Sequence, residues 1–244
     1  MTHHFGVLIP STNTTVEIEY NRLLPSTLQA HAGRVLSSGR GPFAPPLDAD
    51  VEYQARLLGT AKVEVVSLAQ TSASLFADDY DAATLERISA AARVPAITSA
   101  LAIGQAAQAL GARRIALVSP YSPTVIERAK TYYEQKFGLE VMALESFATT
   151  DAYMIGKLGP EHARDAFARI DKADIEAFVV PGGNFPTMAF VAEWERTFGK
   201  PVITTNQAAL WAMMGVMGVA ETLPGLGRLL ATLPDADHGS RAPN

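Results

Sequence analysis

Apolar residues along this chain fall into short runs, separated by longer stretches in which apolar positions recur three and four apart. The first run, Phe5-Gly6-Val7-Leu8-Ile9-Pro10, reads as a buried strand. It feeds Ser11-Thr12-Asn13-Thr14-Thr15 and a helix over Val16–Leu24, with Thr14 or Thr15 placed as its cap and Glu17 in its first turn. Such a polar turn is either an anion-binding geometry, because free N–H groups point outward at a helix start, or an ordinary loop rich in capping residues. His31–Ser38 predicts a second strand. Gly39–Asp50, with Pro42, Pro45 and Pro46, predicts a loop that is either a lid or a plain connection. A helix over Val51–Lys62 follows, then an apolar strand from Val63 that stops in Gln70-Thr71-Ser72. Asp78–Arg93 is helical, Pro95–Ser99 a strand, and Ala100–Leu110 a helix closed by Gly111.

The pattern then restarts. Arg114–Ser119, ahead of Pro120-Tyr121-Ser122-Pro123, resembles the first strand, and Thr124–Phe137 is a helix ended by Gly138. Leu139–Glu145 predicts a strand, Thr149–Lys157 a loop, and Pro160–Lys172 a helix. Ile175–Val180 is a strand that stops in Pro181-Gly182-Gly183-Asn184. A helix over Thr187–Phe198 capped by Gly199, a strand over Pro201–Asn206 and a helix over Gln207–Gly218 complete the series. A shift of 112 residues carries Glu64 onto Glu176 and Gln70 onto Gly182, and a shift of 106 carries Pro95–Ser99 onto Pro201–Thr205. A period of half the chain is too long for a solenoid. Alternating strands and helices with short apolar strands predict an α/β protein. The expected form is two similar Rossmann-like lobes with parallel sheets, related by pseudo-two-fold symmetry, with the active site in the cleft between them. Residues 1–111 with 206–233 form one expected lobe and 112–205 the other; residues 234–244, rich in Asp, Gly, Ser and Pro, form a flexible tail.

Composition narrows the function. The 244 residues are 48% hydrophobic and 18% charged, with a formal net charge of −5, which argues against nucleic acid or an anionic membrane as the main partner. The chain has 0 cysteines, which excludes disulfides, thiolate metal sites and thiol nucleophiles. Met1-Thr2-His3-His4 shows no secretory pattern, and the apolar stretch Ala208–Ala220 is too short to span a bilayer, so a cytoplasmic location is expected. That stretch is either wholly buried or an oligomer contact, and a homo-oligomer is expected. Trp194, Trp211 and Tyr132-Tyr133 belong to core or interface. No metal-ligand spacing stands at the strand tips, and Gly182-Gly183 lacks the pattern of a dinucleotide loop, so neither a metal nor a cofactor is expected.

In open parallel sheets, ligands bind beyond the carboxyl ends of the strands. Those ends carry Asn13, Gln70-Thr71-Ser72, Ser99, Tyr121-Ser122, Gly182-Gly183-Asn184 and Thr205-Asn206, none of them charged. Neutral donors in that arrangement suit a small carboxylate.

Gly6–Glu17, Ile97-Thr98-Ser99-Ala100, Arg113–Tyr121 and Pro224–Leu230 resemble the aspartate/glutamate racemase superfamily, and within it the maleate cis–trans isomerases. Leu68-Ala69-Gln70-Thr71-Ser72 is more similar to the arylmalonate decarboxylases. The resemblance spans nearly the whole chain. It implies that Asn13 and Tyr121 hold substrate carboxylate and that Thr71 and Ser72 contribute to a dioxyanion pocket. The family's chemistry uses a cysteine at one or both opposed strand tips. Here those positions are Gln70 and Gly182, or Pro181 if the register slips by one, and neither Gln70 nor Gly182 transfers a proton or attacks an alkene.

Tyr121 is the first choice for proton transfer, if neighbouring donors lower its pKa; otherwise it only binds carboxylate. Ser72 and Thr71 are candidate nucleophiles that lack a placed histidine, since His3, His4, His31, His162 and His238 fall on strands, a helix or near the termini. Asp151 is either a base near the cleft or a turn cap. Gly182 and Gly183 offer backbone N–H groups as an oxyanion hole or simply form a turn with positive φ. Gln70, Asn184 and Asn206 complete the expected binding set. The expected activity is cofactor-independent isomerisation, decarboxylation or a related proton transfer on a small carboxylic or dicarboxylic acid. The alternatives are a catalytically degenerate carboxylate-binding protein, or a hydrolase or lyase that activates a water held by Gln70 and Ser72.

Overall fold

The computed structural model describes residues 2–39 and 43–232. The expected tail, and positions 40–42 of the expected loop, lie outside the described residues.

Two four-stranded parallel sheets carry the fold. The first is built from β1 (His3–Pro10), β2 (Leu28–Val35), β3 (Val66–Leu68) and β4 (Ala96–Thr98), in the order β2-β1-β3-β4. The second is built from β5 (Arg114–Ser119), β6 (Glu140–Ser146), β7 (Ala177–Val180) and β8 (Val202–Thr204), in the order β6-β5-β7-β8. The orders are identical, and so is the pairing: Val7 lies opposite Ser67 as Leu117 lies opposite Val179. That register makes the tip of β3 equivalent to the tip of β7, with Gln70 matched to Gly182. Central β1 is covered on both faces, which is why Phe5, Val7, Leu8 and Ile9 run almost unbroken and are fully buried. Edge strands β2 and β6 are the polar ones, carrying His31 and Arg34 or Glu140 and Glu145.

Among the described residues, eight helices cover the sheets: α1 (Val16–Leu23), α2 (Asp48–Thr60), α3 (Tyr80–Ala92), α4 (Ser99–Ala109), α5 (Pro123–Phe137), α6 (Glu161–Ile170), α7 (Val191–Phe198) and α8 (Thr205–Met217). Helices α4 and α8 follow equivalent strands and pack against each other, and α8 also touches β3, β4 and β8. One hydrophobic core therefore runs from Phe5 and Val65 through Ala100 and Ile103 to Leu210 and Phe178. Thr205 through Met214 of α8 are buried, so the apolar stretch near the end of the chain is core helix. Trp194, Trp211 and Tyr133 are likewise core residues.

The glutamates that open both copies of the repeat stand at the far end of the sheets from the cleft. Glu64 accepts the His4 N–H at 3.0 Å, and Glu176 accepts those of Arg113 and Arg114 at 2.7 and 2.9 Å. These amide bonds hold the Glu176 carboxyl down at about 2. Each glutamate satisfies N–H groups at the start of a central strand, which accounts for its recurrence without a role at the site.

Candidate active site

The carboxyl ends of β1, β3, β5 and β7 enclose a cavity of about 400 Å³. Asn13, Gln70, Thr71, Ser72, Tyr121, Gly182, Gly183 and Asn184 all line it, so eight of the nine sequence-predicted site residues are brought together. A larger open groove of about 1160 Å³ runs between α2 and α3. It reaches Val63 and Val94 at the opposite ends of the strands and is walled by charged surface side chains.

At the β3 tip the side chains are strongly engaged. The Gln70 amide Nε2 donates to Ala44 O at 2.8 Å, and the Ser72 hydroxyl donates to Phe43 O at 3.0 Å. The loop before α2 is thereby drawn over the cavity, and the Phe43 ring lies 5.1 Å from that of Tyr121. Phe43 and Ala44 are site residues that the sequence reading missed; an aromatic–alanine pair inside a proline-rich loop was the available signal. Thr71 Oγ1 lies 3.1 Å from Ser99 Oγ and 3.2 Å from Thr205 Oγ1. These are the first residues of α4 and α8, so Thr71 stands where two helix starts meet. No histidine among the described residues lines the cavity, so neither Ser72 nor Thr71 has a base to activate it as a nucleophile. His4 instead pairs with His31 (2.9 Å), and His162 faces Gly159 O (3.1 Å); His238 lies outside the described residues.

At the β7 tip the backbone dominates. Gly182 has φ +136°, and a Cβ there would lie 2.8 Å from Pro120 Cγ, so the turn is closed to other residues. The Gly182 N–H already donates to Thr205 Oγ1 at 2.8 Å. Among the described residues no acceptor meets the N–H of Gly183 or Asn184, which leaves these two amides of the turn open to a ligand. Asn184 fixes the turn across the cleft. Its Oδ1 accepts the Thr14 N–H at 2.8 Å, its Nδ2 donates to Ala152 O at 2.7 Å, and its carbonyl accepts Thr15 Oγ1–H at 2.6 Å.

Asn206 is the ninth expected residue, and it is not part of the wall. It lies 1% exposed behind the turn, where its Nδ2 donates to Glu19 Oε2 at 2.6 Å and to Gly183 O at 3.0 Å. As the second residue of α8 it is held in the core by the helix, while Thr204 occupies the capping position.

Two local expectations differ from what is seen, and one open alternative is decided. Helix α1 is capped by Asn13, not by a Thr14 or Thr15 side chain: Asn13 Oδ1 accepts the N–H of Thr15 at 2.9 Å and of Val16 at 3.0 Å. With Oδ1 committed to the helix, the Asn13 Nδ2 remains as its donor. Secondly, burial pushes the Tyr121 hydroxyl up, not down. Hydrogen bonds from the side chains of Ser72 and Thr71 and the Ser72 backbone oppose that rise but do not outweigh it. Tyr121 is therefore a phenol at neutral pH. Finally, Asp151 lies exposed on the cavity's rim, and its Oδ1 accepts the Tyr153 N–H at 2.9 Å as a turn cap.

The cavity wall thus offers neutral donors at both tips, an apolar side from Pro10, Phe43, Ala69 and Ile155, and one protonated phenol. Among the described residues, no three His, Cys, Asp or Glu side chains are grouped to hold a metal ion, and no helix is long and apolar enough to cross a membrane.

The arylmalonate decarboxylase family matches residues 5–230. A maleate isomerase from Pseudomonas putida is 27% identical, over 94% of this chain and 97% of its own. An arylmalonate decarboxylase from Bordetella bronchiseptica is 28% identical, over 93% and 96%. Among solved structures, a cysteine-to-alanine variant of a maleate isomerase from Pseudomonas putida with maleate superposes with a TM-score of 0.86 at 26% identity, covering 95% of this chain and 98% of that one.

Proposed function

The chain belongs to the arylmalonate decarboxylase family, and on that premise we propose that it decarboxylates a small malonate-type acid without a cysteine or a cofactor, with Tyr121 as the proton donor. The observation that carries this reading is the buried, protonated Tyr121 phenol facing a cavity of neutral donors. Its raised pKa keeps it protonated at neutral pH, so it cannot start as a base, and although burial makes it a weaker acid, an enediolate is basic enough to take its proton. Of the reactions known in such relatives, loss of CO₂ is the one that needs an acid and neither a base nor a nucleophile.

One carboxylate of the substrate is retained against Asn13 Nδ2 and the N–H groups of Gly183 and Asn184. The bond from the α-carbon to the other carboxylate breaks and releases CO₂. Its electron pair passes into the retained carboxylate as an enediolate, whose growing charge those donors stabilise in place. Tyr121 then gives its proton to the α-carbon, and water returns a proton to the phenolate. While the phenolate exists, the Ser72 amide and the Thr71 hydroxyl hold it. The apolar side of the cavity favours neutral CO₂ and an apolar substituent over a second carboxylate.

The absence of cysteine and of any placed base also favours a second reading, a carboxylate-binding protein without turnover. Proton NMR of the protein with maleate, phenylmalonate, a hydantoin and a cyclic imide separates these readings. Decarboxylation consumes phenylmalonate and yields phenylacetate. Shifted but unreacted ligand signals support the binding protein, and ring opening supports a water-activating hydrolase.

A further inference from the structure

Behind the β7 turn, on the side away from the ligand space, lies a buried carboxylate that the chemistry above does not use. Glu19 sits on the inner face of α1 with Val16 and Tyr20 and is 6% exposed. Its Oε1 accepts the N–H of Thr187 at 2.6 Å and of Met188 at 2.8 Å, and its Oε2 accepts Asn206 Nδ2–H at 2.6 Å. Among the described residues, no cation joins this group. The turn from Gly182 to Phe190 and helix α8 contain no charged residue. On α1 itself, Arg22 is exposed and Glu17 pairs with Arg34, while Tyr20 donates its hydroxyl to Asn206 O at 2.9 Å. Burial without a counter-charge raises the Glu19 carboxyl to about 7, against the opposing pull of the bonds from Asn206, Met188 and Thr187.

The Asn206 side chain converts that carboxylate into an orientation. A single NH₂ group serves both Glu19 Oε2 and Gly183 O, while the Asn206 Oδ1 has no partner among the described residues. Turning the amide over would set an oxygen against both acceptors. The Gly183 carbonyl is one end of a planar trans peptide whose other end is the Asn184 N–H. Holding the carbonyl from behind therefore aims that N–H the opposite way, toward the cavity.

We propose that Glu19 is a positioning residue: through Asn206 it fixes the peptide plane between Gly183 and Asn184, and the charge on its carboxylate decides how tightly that plane is held. Only the consequence for turnover rests on the decarboxylase reading; the positioning itself does not. Amide NMR of the wild-type protein and of Glu19→Gln, titrated from about pH 5.5 to about pH 8.5, tests it. The Asn184 amide resonance is expected to move in the wild type with a midpoint near 7, and to stay fixed in Glu19→Gln, with the Ile88 amide on α3 as the static reference. A flat Asn184 resonance in the wild type overturns the proposal, as does a titration that persists in the variant. If Glu19→Gln does not fold, the wild-type Glu19 carboxyl carbon must titrate with the same midpoint as the Asn184 amide, and a different midpoint overturns the proposal. For turnover of phenylmalonate, Glu19→Gln is expected to lower kcat roughly tenfold while leaving KM within about twofold, the pattern of an interaction made in the transition state. No turnover by either protein, with the NMR coupling intact, removes the decarboxylase reading and leaves the positioning role standing.

Discussion

The tips of β3 and β7 occupy equivalent places in two sheets of identical strand order, yet they present different chemistry to the same cavity. The β3 tip works through side chains: Gln70 and Ser72 bind the carbonyls of Ala44 and Phe43, and Thr71 meets Ser99 and Thr205. The β7 tip works through its backbone, with positive φ at Gly182, N–H groups at Gly183 and Asn184 that meet no acceptor among the described residues, and anchors reaching from the turn before α1 and from α8. A repeated fold thus keeps its register while the two halves divide the labour. One half shapes and covers the site; the other supplies rigid donors. The positions that the family resemblance equates with thiols are here a loop anchor and a turn glycine, and the proposed acid, Tyr121, stands at the tip of a third strand.

Breaking each tip in turn tests that division. The largest effect is expected from the charge behind the β7 turn. Glu19 binds its proton more tightly when folded, at about 7 against 4.5, so the folded state holds a proton that the unfolded state has lost between those values. The contribution of Glu19 to stability is therefore fully present below pH 4.5 and is lost as pH rises to about 7. Chemical denaturation across that range should show a loss on the order of 3 kcal/mol in the wild type that is missing in Glu19→Gln. Gly182→Ala comes next, with a cost of about 2 kcal/mol from the forbidden φ and further strain against Pro120; thermal unfolding measures it, and a variant as stable as the wild type contradicts the backbone role. Asn184→Ala leaves the Thr14 N–H and Ala152 carbonyl without their partner, at about 1.5 kcal/mol in urea unfolding. The smallest effect is expected at the β3 tip. Gln70→Ala removes a single anchor of the covering loop, costing about 1 kcal/mol of stability and appearing mainly as weaker phenylmalonate binding in calorimetry. A Gln70 effect exceeding that of Gly182 would reverse the proposed division.

The repeat and the tips were legible because they are local. Strand runs and helix caps such as Gly138 and Gly199 lie in short windows of sequence, the half-chain shift comes from matching two such windows, and together they place eight of the nine expected residues on one cavity. What escaped depends on partners distant in the chain. Asn206 looks like a strand-tip residue, but α8 starts one residue earlier and turns it toward Glu19, 187 positions away. Glu19 left one trace: with Val16 and Tyr20 it falls on the buried stripe of α1, where a carboxylate is out of place. The Tyr121 shift could not be read from neighbours in sequence, because burial, a property of the whole fold, outweighs the donors that Thr71 and Ser72 bring.

The central claim is that a protonated Tyr121 does the work for which similar enzymes keep a thiol. Its most direct test is the rate of CO₂ release from phenylmalonate in D₂O by the wild type and by Tyr121→Phe, with binding of the same acid measured in parallel. Wild-type turnover to monodeuterated phenylacetate is expected, with a fall of about a hundredfold or more in the variant and binding retained within a few-fold. Equal rates in the two proteins, or a wild type that binds phenylmalonate and leaves it intact, would contradict the claim.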